Sequence, residues 1–589
     1  MIKHIFTSAA ISAAALAVST SEGRATIGWA GISHVLLISI DGMHSLDFIN
    51  CAASGTCPNL AGLKNNGVNY LEASTSAPSD SFPGLTAIVS GGSPRTEGAF
   101  YDVAYDRVLA PPTKDTGNGL KAGPCTPGQA NGSGTEYEEG IDLDQSQLNG
   151  GAPMGQPGGI ASIDPLKLVR DPYNQCAPVW PWNFVKTNTI FGVIHQAGGY
   201  VAWSDKHPSY SSVAGPSSIP GPAGSILDDY YSPEINSTPV FSGLTFAGKA
   251  FKLPDGTSCA PLPDNFGSDY TKSFKNVQCY DQLKANAIIS QINGLKSDGV
   301  TKAPVPNLFG MNYQAVSVGQ KLIDKNSVKG GYMTTPGTPP GTPTAPLASA
   351  IKFVDASIGQ MITNLKNQNL YNSTLIVITA KHGQSPVDSS RYQGIGVPSG
   401  SPISTSPAAI LLNYNPNCLA PSASQPIGPT EDDVSLLWLG PACTTAKAVN
   451  LLQAASPSSN NVAGIGEIYS GNAIAQMFNA PGYPPYTNQQ PYGDSRTPDI
   501  IVTPNVGVTY SGSSGKLAEH GGFSHDDTNV ILLLSNPRMG AVTVTTQVQT
   551  AQVAPTILQT LNLNPASLKA VQTEGTQALP SVSFRTIGD

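Results

Sequence analysis

The chain has 589 residues, a net charge of −8 and only 12% charged side chains, about half the usual ~25%. The negative balance and the lack of any Lys/Arg cluster exclude nucleic-acid binding as the main function. With 61 Gly and 50 Pro, the low charge points to a loop-rich protein outside the cytoplasm, long enough for one large α/β domain with insertions.

In chain order, the first expected element is an export signal over residues 1–25. Lys3 supplies the positive start, Ile5 to Val18 an apolar stretch, and Gly23-Arg24-Ala25 small residues for cleavage. That stretch is shorter than the ~20 apolar residues of a membrane span, and no other segment qualifies. The mature chain is therefore expected to be secreted or periplasmic, with residues 26–589 forming one domain. Eight cysteines fall into sequence-local pairs, Cys51 with Cys57, Cys125 with Cys176, Cys259 with Cys279 and Cys418 with Cys443. None forms a C-x-x-C pair, so disulfides pinning loops are preferred to a zinc ribbon or redox motif.

Val35 to Asp41 is an unbroken apolar run ending in a carboxylate, as in a parallel strand buried on both faces. Similar runs recur at Leu375–Ala380, Asp499–Thr503 and Val530–Ser535. Helical patterns lie between them, for example over Tyr280–Leu295 and Leu347–Asn367. The alternation predicts a doubly wound, mostly parallel α/β sheet flanked by helices, with its site at the carboxyl ends of the strands. Two loop-rich insertions, near 110–181 and 385–498, are expected to rise above the sheet and shape the mouth of the site. The biased stretch from Gly330 to Pro346 is expected to be a surface loop.

Asp41, at the end of the first run and before Gly42, would emerge at the sheet edge, although an isolated Asp-Gly more often caps a turn. Ser81 stands just ahead of Phe82-Pro83, and Pro favours a first helical turn. A serine there faces N–H groups that favour an anion and could attack phosphorus; alone, a simple helix cap is the commoner role.

The strand ending Ile40-Asp41-Gly42, followed by Ser81-Phe82-Pro83 and Val89-Ser90-Gly91, resembles the type I phosphodiesterase and nucleotide pyrophosphatase branch of the alkaline-phosphatase-like superfamily. Lys381-His382-Gly383 matches a strand end that in the family reads Asp-His-Gly, and Glu519-His520-Gly521-Gly522 resembles a late His-Gly element. Ser204-Asp205-Lys206-His207-Pro208 is similar to a motif of secreted relatives, and Val553–Leu558 to the closing helix. The resemblance spans roughly Ile32 to Leu579, minus the insertions. It implies Ser81 as covalent nucleophile and metal ligand, with Asp41, His382 and His520 as further metal ligands. It places Asp102 where a polar group would hold the phosphoryl oxygen.

The departures bear on the metal. Lys381 replaces a ligating Asp, and Val316 and Gln320 stand where an Asp-x-x-x-His pair would hold a second ion. A two-zinc site is therefore not expected, and one divalent metal (zinc, manganese or iron) is expected rather than two. An ammonium ~4 Å from a dication is repelled by roughly 8 kcal/mol at an effective dielectric of 20. Lys381 must therefore point away, form a salt bridge, or replace lost charge and hold phosphoryl oxygens. A further cluster, Asp494, Arg496, Asp499, His525, Asp526 and Asp527, offers either a ligand and general acid with His520 or only caps and ion pairs. His207 reads more as a hydrogen-bonded core residue than as a catalytic one.

The expected activity is metal-dependent hydrolysis of a small-molecule phosphodiester or pyrophosphate through a seryl-phosphate. Ser81, Asp102 and Lys381 are the catalytic candidates, and no separate cofactor-binding residues are assigned. Two alternatives remain: a sulfatase-like hydrolase, disfavoured by Leu85 where that branch has Arg, and a non-catalytic binding protein on the same fold.

Overall fold

The computed structural model describes residues 31–137, 140–152, 158–395, 406–420, 430–456, 463–478, 494–511 and 515–585. The expected export signal lies outside them. Eight strands build the central sheet: β1 (His34–Ile40), β2 (Gly67–Tyr70), β3 (Ala202–Ser204), β4 (Asp229–Tyr231), β5 (Leu308–Tyr313), β6 (Thr374–Thr379), β7 (Leu532–Ser535) and β8 (Val542–Val544). Their spatial order is β8-β2-β7-β6-β1-β5-β3-β4. β7 runs antiparallel to both neighbours, and the other pairings are parallel.

β1 shows why a continuous apolar run suits the centre of such a sheet. Val35 and Leu37 pack into one core with Phe82, Leu85 and Ile88 of α2 (Ser81–Ser90) and with α6 (Val553–Thr560). Leu36, Ile38 and Ile40 face the other core, formed with α1 (Ser45–Ser54), α3 (Asn276–Ile292), α4 (Ala315–Lys321) and α5 (Ala345–Asn367). Both faces are covered, so β1 is apolar from Val35 to Ile40 except for Ser39, whose buried hydroxyl donates to Asp41 Oδ1 at 3.4 Å. The register Leu37 to Gly310 and Val377 places β1 between β5 and β6.

The two insertions differ in how much regular structure their described residues carry. In the first, little more than a hairpin (Val103–Asp106 with Ser133–Glu136) and short turns interrupt the loops. The second carries its own antiparallel sheet, in the order Thr430–Glu431, Ser435–Leu437, Ile500–Pro504 and Ile465–Ser470. Helices Pro407–Tyr414 and Thr445–Ala454 cover it with a separate apolar cluster. The run at Asp499–Thr503 therefore belongs to this smaller sheet, not to the central one. An apolar run announces a buried strand but not which sheet it joins.

The four expected disulfides are all present, Cys51–Cys57, Cys125–Cys176, Cys259–Cys279 and Cys418–Cys443. Among the described residues no helix is long and apolar enough to cross a membrane.

Candidate active site

Four adjacent parallel strands, β6, β1, β5 and β3, deliver polar residues to one place at their carboxyl ends. Asp41 directly follows β1, and its N–H donates to Tyr313 O at 3.0 Å. Gly42 then turns the chain with φ 79°, and a Cβ there would stand 2.2 Å from Gln320 Oε1. β6 is followed by Lys381 and His382, β5 supplies Asn312 and leads to Gln314, and β3 is followed by Asp205 and Lys206. Asp281 of α3 fixes the turn after β5 by accepting the Gln314 and Ala315 N–H groups at 2.8 Å.

α2 closes the site from above. Asp80 caps it, accepting the Phe82 N–H at 3.2 Å, so Ser81 occupies the first helical position as the sequence predicts. The helix lies so close to the end of β6 that a Cβ on Gly84 would fall 2.0 Å from Lys381 O. Only glycine permits this approach. Ser79 is bonded to the His520 loop through its N–H to Gly522 O (3.0 Å) and its carbonyl to Gly521 N–H (2.8 Å).

Asp41 is fully buried and its Oδ2 draws four nitrogens. Asn312 Nδ2 donates at 3.1 Å and Gln314 Nε2 also donates, while His382 Nε2 stands at 3.5 Å and Lys206 Nζ at 3.9 Å. Burial would raise the pKa of this carboxyl. The charges of Lys381, His382 and Lys206 outweigh burial and hold it well below the usual range. Lys206 Nζ also donates to Ser81 Oγ at 3.0 Å. Lys381 is buried against Asp205, 2.8 and 3.0 Å from its two oxygens, with the ammonium 3.7 Å above the Tyr210 ring. Burial lowers the Lys381 pKa, and Asp205 and Asp41 work against that shift.

The predicted residues thus meet only in part. Asp41, Ser81 and His382 gather around Lys206. His520 stacks on His382 with ring centroids 4.0 Å apart, but its nitrogens are turned elsewhere: Nδ1 is 2.8 Å from Glu519 Oε1 and Nε2 3.6 Å from Asp80 Oδ1. Burial, with His382 and Lys321 nearby, pushes its pKa down to about 3, which leaves a neutral imidazole near pH ~7. Asp102 joins the site through its backbone, donating its N–H to Asp80 Oδ2 at 3.0 Å, while its Oδ1 accepts the Val103 N–H at 2.7 Å. Lys381 takes the salt-bridged alternative. Lys206, which the sequence offered only within the Ser204–Pro208 motif, is the residue that reading missed.

In the second cluster Asp526 accepts the Val387 N–H at 2.9 Å. Arg496 binds Asp106 at 2.7 Å and two carbonyls, Asp499 accepts from Arg107 at 2.7 Å, and Asp527 caps the turn at Ser524. His207 pairs with Glu234 at 2.8 Å in the core. Gln320 donates to Gly42 O at 2.7 Å and Tyr332 at 2.9 Å, and Val316 is fully buried.

The remaining donors do not fit the one expected metal. An ion shared by Asp41, Ser81 and His382 would lie ~2.0–2.2 Å from each ligand, in the space that the Lys206 ammonium bridges. His520, the fourth expected ligand, is bonded to Glu519 instead. Among the described residues, Asp432, Glu519 and His520 alone bring three ligand-type groups within 4.8 Å of one another. There Glu519 is already paired with Lys321 at 3.3 Å and with Lys516.

The family profile defines a phosphoric ester hydrolase, carried on an alkaline-phosphatase-like fold. The chain belongs to the type I phosphodiesterase / nucleotide pyrophosphatase family, whose profile matches residues 35–396. Members of that family are metal-dependent hydrolases. Among solved structures, murine ectonucleotide pyrophosphatase / phosphodiesterase 5 (ENPP5, NPP5) is similar, with 15% identity and a TM-score of 0.50 over 90% of this chain and 96% of that one. An inactive form of the same mouse protein has been solved in complex with AMP, and it matches with 14% identity, a TM-score of 0.50 and the same coverage. Wild-type alkaline phosphatase PafA matches with 11% identity and a TM-score of 0.50, again over 90% and 96%. No curated protein matches the chain.

Proposed function

We propose that the protein hydrolyses phosphodiester or pyrophosphate bonds of small molecules outside the cytoplasm, through a phosphoserine at Ser81. The observation that carries this is the placement of the Ser81 hydroxyl at the N-terminus of α2, 3.0 Å from the Lys206 ammonium. In the first step the Ser81 Oγ–P bond forms while the bond from phosphorus to the leaving oxygen breaks, and the serine proton ends on the departing alcohol. The positive end of the α2 dipole and Lys206 stabilise the charge that develops on the phosphoryl oxygens. Water then cleaves the phosphoserine and restores the hydroxyl. The complex of the similar mouse protein with AMP supports a nucleotide-sized phosphate ester as substrate.

Charge favours a diester over a monoester. Lys206 and Lys381 are matched by Asp41 and Asp205, so a substrate with one negative charge is better accommodated than a dianion. Lys381 acts by holding Asp205, and Asp102 by anchoring Asp80; neither is given a covalent role. The expected single metal is not carried into this reading, because the donors around Asp41 do not leave room for it. Placement outside the cytoplasm is supported by four disulfides, which persist in oxidising compartments.

The test is release of nitrophenol from bis(4-nitrophenyl) phosphate by the wild type and Ser81→Ala, with intact-mass detection of an acid-quenched adduct. Turnover and a Ser81 adduct in the wild type, both lost in the variant, are expected. Undiminished turnover in Ser81→Ala would refute the serine as nucleophile.

A further inference from the structure

The positive charge that a phosphoryl group requires is already supplied here by the chain itself. All four nitrogens at Asp41 converge on one oxygen, Oδ2, and the fourth, Lys206 Nζ, reaches across to Ser81 Oγ. Lys206 is itself nearly buried, at 8% exposure, so water does not readily carry it away from these oxygens. Behind it Lys381 is wholly buried, clamped by both oxygens of Asp205, which also accepts the Trp203 indole N–H at 2.9 Å. Asp205 therefore has no oxygen to spare for an ion, and Lys381 cannot swing out without leaving it unpaired. His382 donates through Nδ1–H to Gly383 O, 2.8 Å away, which leaves Nε2 directed toward Asp41 at 3.5 Å.

We propose that this phosphoryl site works without a resident divalent metal, the Lys206 ammonium standing between Asp41 and Ser81 where an ion would stand. Lys381 is the positioning residue that secures the arrangement: by occupying Asp205 it prevents that carboxylate from drawing Lys206 away from Ser81. The inference rests on the proposed function only in taking Ser81 as the residue that receives the phosphoryl group. Its consequence is a site whose charge is fixed by the sequence and does not vary with metal supply.

The experiment is a metal count and a binding titration on the full mature protein, alongside turnover of bis(4-nitrophenyl) phosphate. Wild type is expected to carry far less than one equivalent of any divalent metal by mass spectrometry, and to show no saturable heat of zinc or manganese binding. Exhaustive dialysis against chelator should leave its rate unchanged. The double variant Lys206→Ala/Lys381→Asp removes the ammonium and supplies a carboxylate beside His382. It should acquire one zinc per chain, and adding Asp41→Asn should abolish that gain. One tightly bound equivalent in the wild type, lost in Asp41→Asn, would overturn the inference while leaving Ser81 hydrolysis standing. Absence of turnover under every condition would instead count against the proposed function, and the zinc titration would still decide the metal question. If the double variant fails to fold by circular dichroism, the wild-type titration decides alone. If it folds and gains no zinc, the lysines are not what excludes the ion, and the inference fails.

Discussion

Replacement of Lys206 by Met keeps the unbranched stem and removes only the charge, so it isolates what the ammonium does for Ser81. With Nζ 3.0 Å from Ser81 Oγ, the charge that develops on the transferred group lies within about 4 Å of it. Unit charges at that distance interact by about 4 kcal/mol at an effective dielectric of 20. Loss of one preorganised donor to a developing oxyanion costs about 2.7–4 kcal/mol, or roughly 100- to 1,000-fold in kcat. The two routes agree, so kcat of Lys206→Met should fall by about 100- to 1,000-fold. The fold should survive, because Asp41 Oδ2 retains Asn312, Gln314 and His382. Steady-state nitrophenol release, with circular dichroism as the control for folding, measures the effect. Arginine should not rescue it, since a planar guanidinium cannot replace a compact ammonium between two buried oxygens. A folded Lys206→Met enzyme with kcat within about threefold of wild type would refute the assignment of charge stabilisation to Lys206.

Three further outcomes follow from packing, chain entropy and burial. Gly84→Ala puts a methyl group 2.0 Å from Lys381 O, so helix and strand end must separate; thermal unfolding should show a loss of about 1–3 kcal/mol, with reduced turnover. Removal of Cys125–Cys176, which closes a 51-residue separation, should cost about 4 kcal/mol in denaturant titration, against about 2 kcal/mol for Cys51–Cys57 with its separation of 6. Burial raises the Glu97 pKa well above its usual value, against the Ser90 hydrogen bond and with help from Glu574, so the folded state keeps a proton that the unfolded chain releases. That loss of stability is absent below about pH 4.5 and grows as pH rises, so Glu97→Gln should gain in melting temperature over wild type between about pH 5 and pH 8.

The parts of the site that the sequence discloses are those in which one short segment carries both the strand or helix signal and the reactive group. Asp41 closes an apolar run, Ser81 precedes the Pro of a helical first turn, and His382 follows the run that forms β6. Each of these can be placed at a sheet edge from local pattern alone. Lys206 cannot. Its contact with Ser81 joins residues 125 positions apart and depends on β3 lying next to β5, which lies next to β1. β3 is only three residues long, too short to carry a periodicity that would have revealed it. The same limit explains His520. A His-Gly pair looks like a ligand wherever it stands, but Glu519, the residue before it, claims Nδ1, and the Asp80 cap faces Nε2. The position of the ammonium between Asp41 and Ser81 is therefore a consequence of sheet order. Lys381 is visible as a departure in the sequence, yet only β3, beyond β1 and β5 from the end of β6, supplies Asp205 to bury it and Lys206 beside Ser81. In one dimension Lys381 reads only as a lost ligand; once β3 is set beside β5, the same lysine is seen to hold Asp205 next to the Lys206 that reaches Ser81.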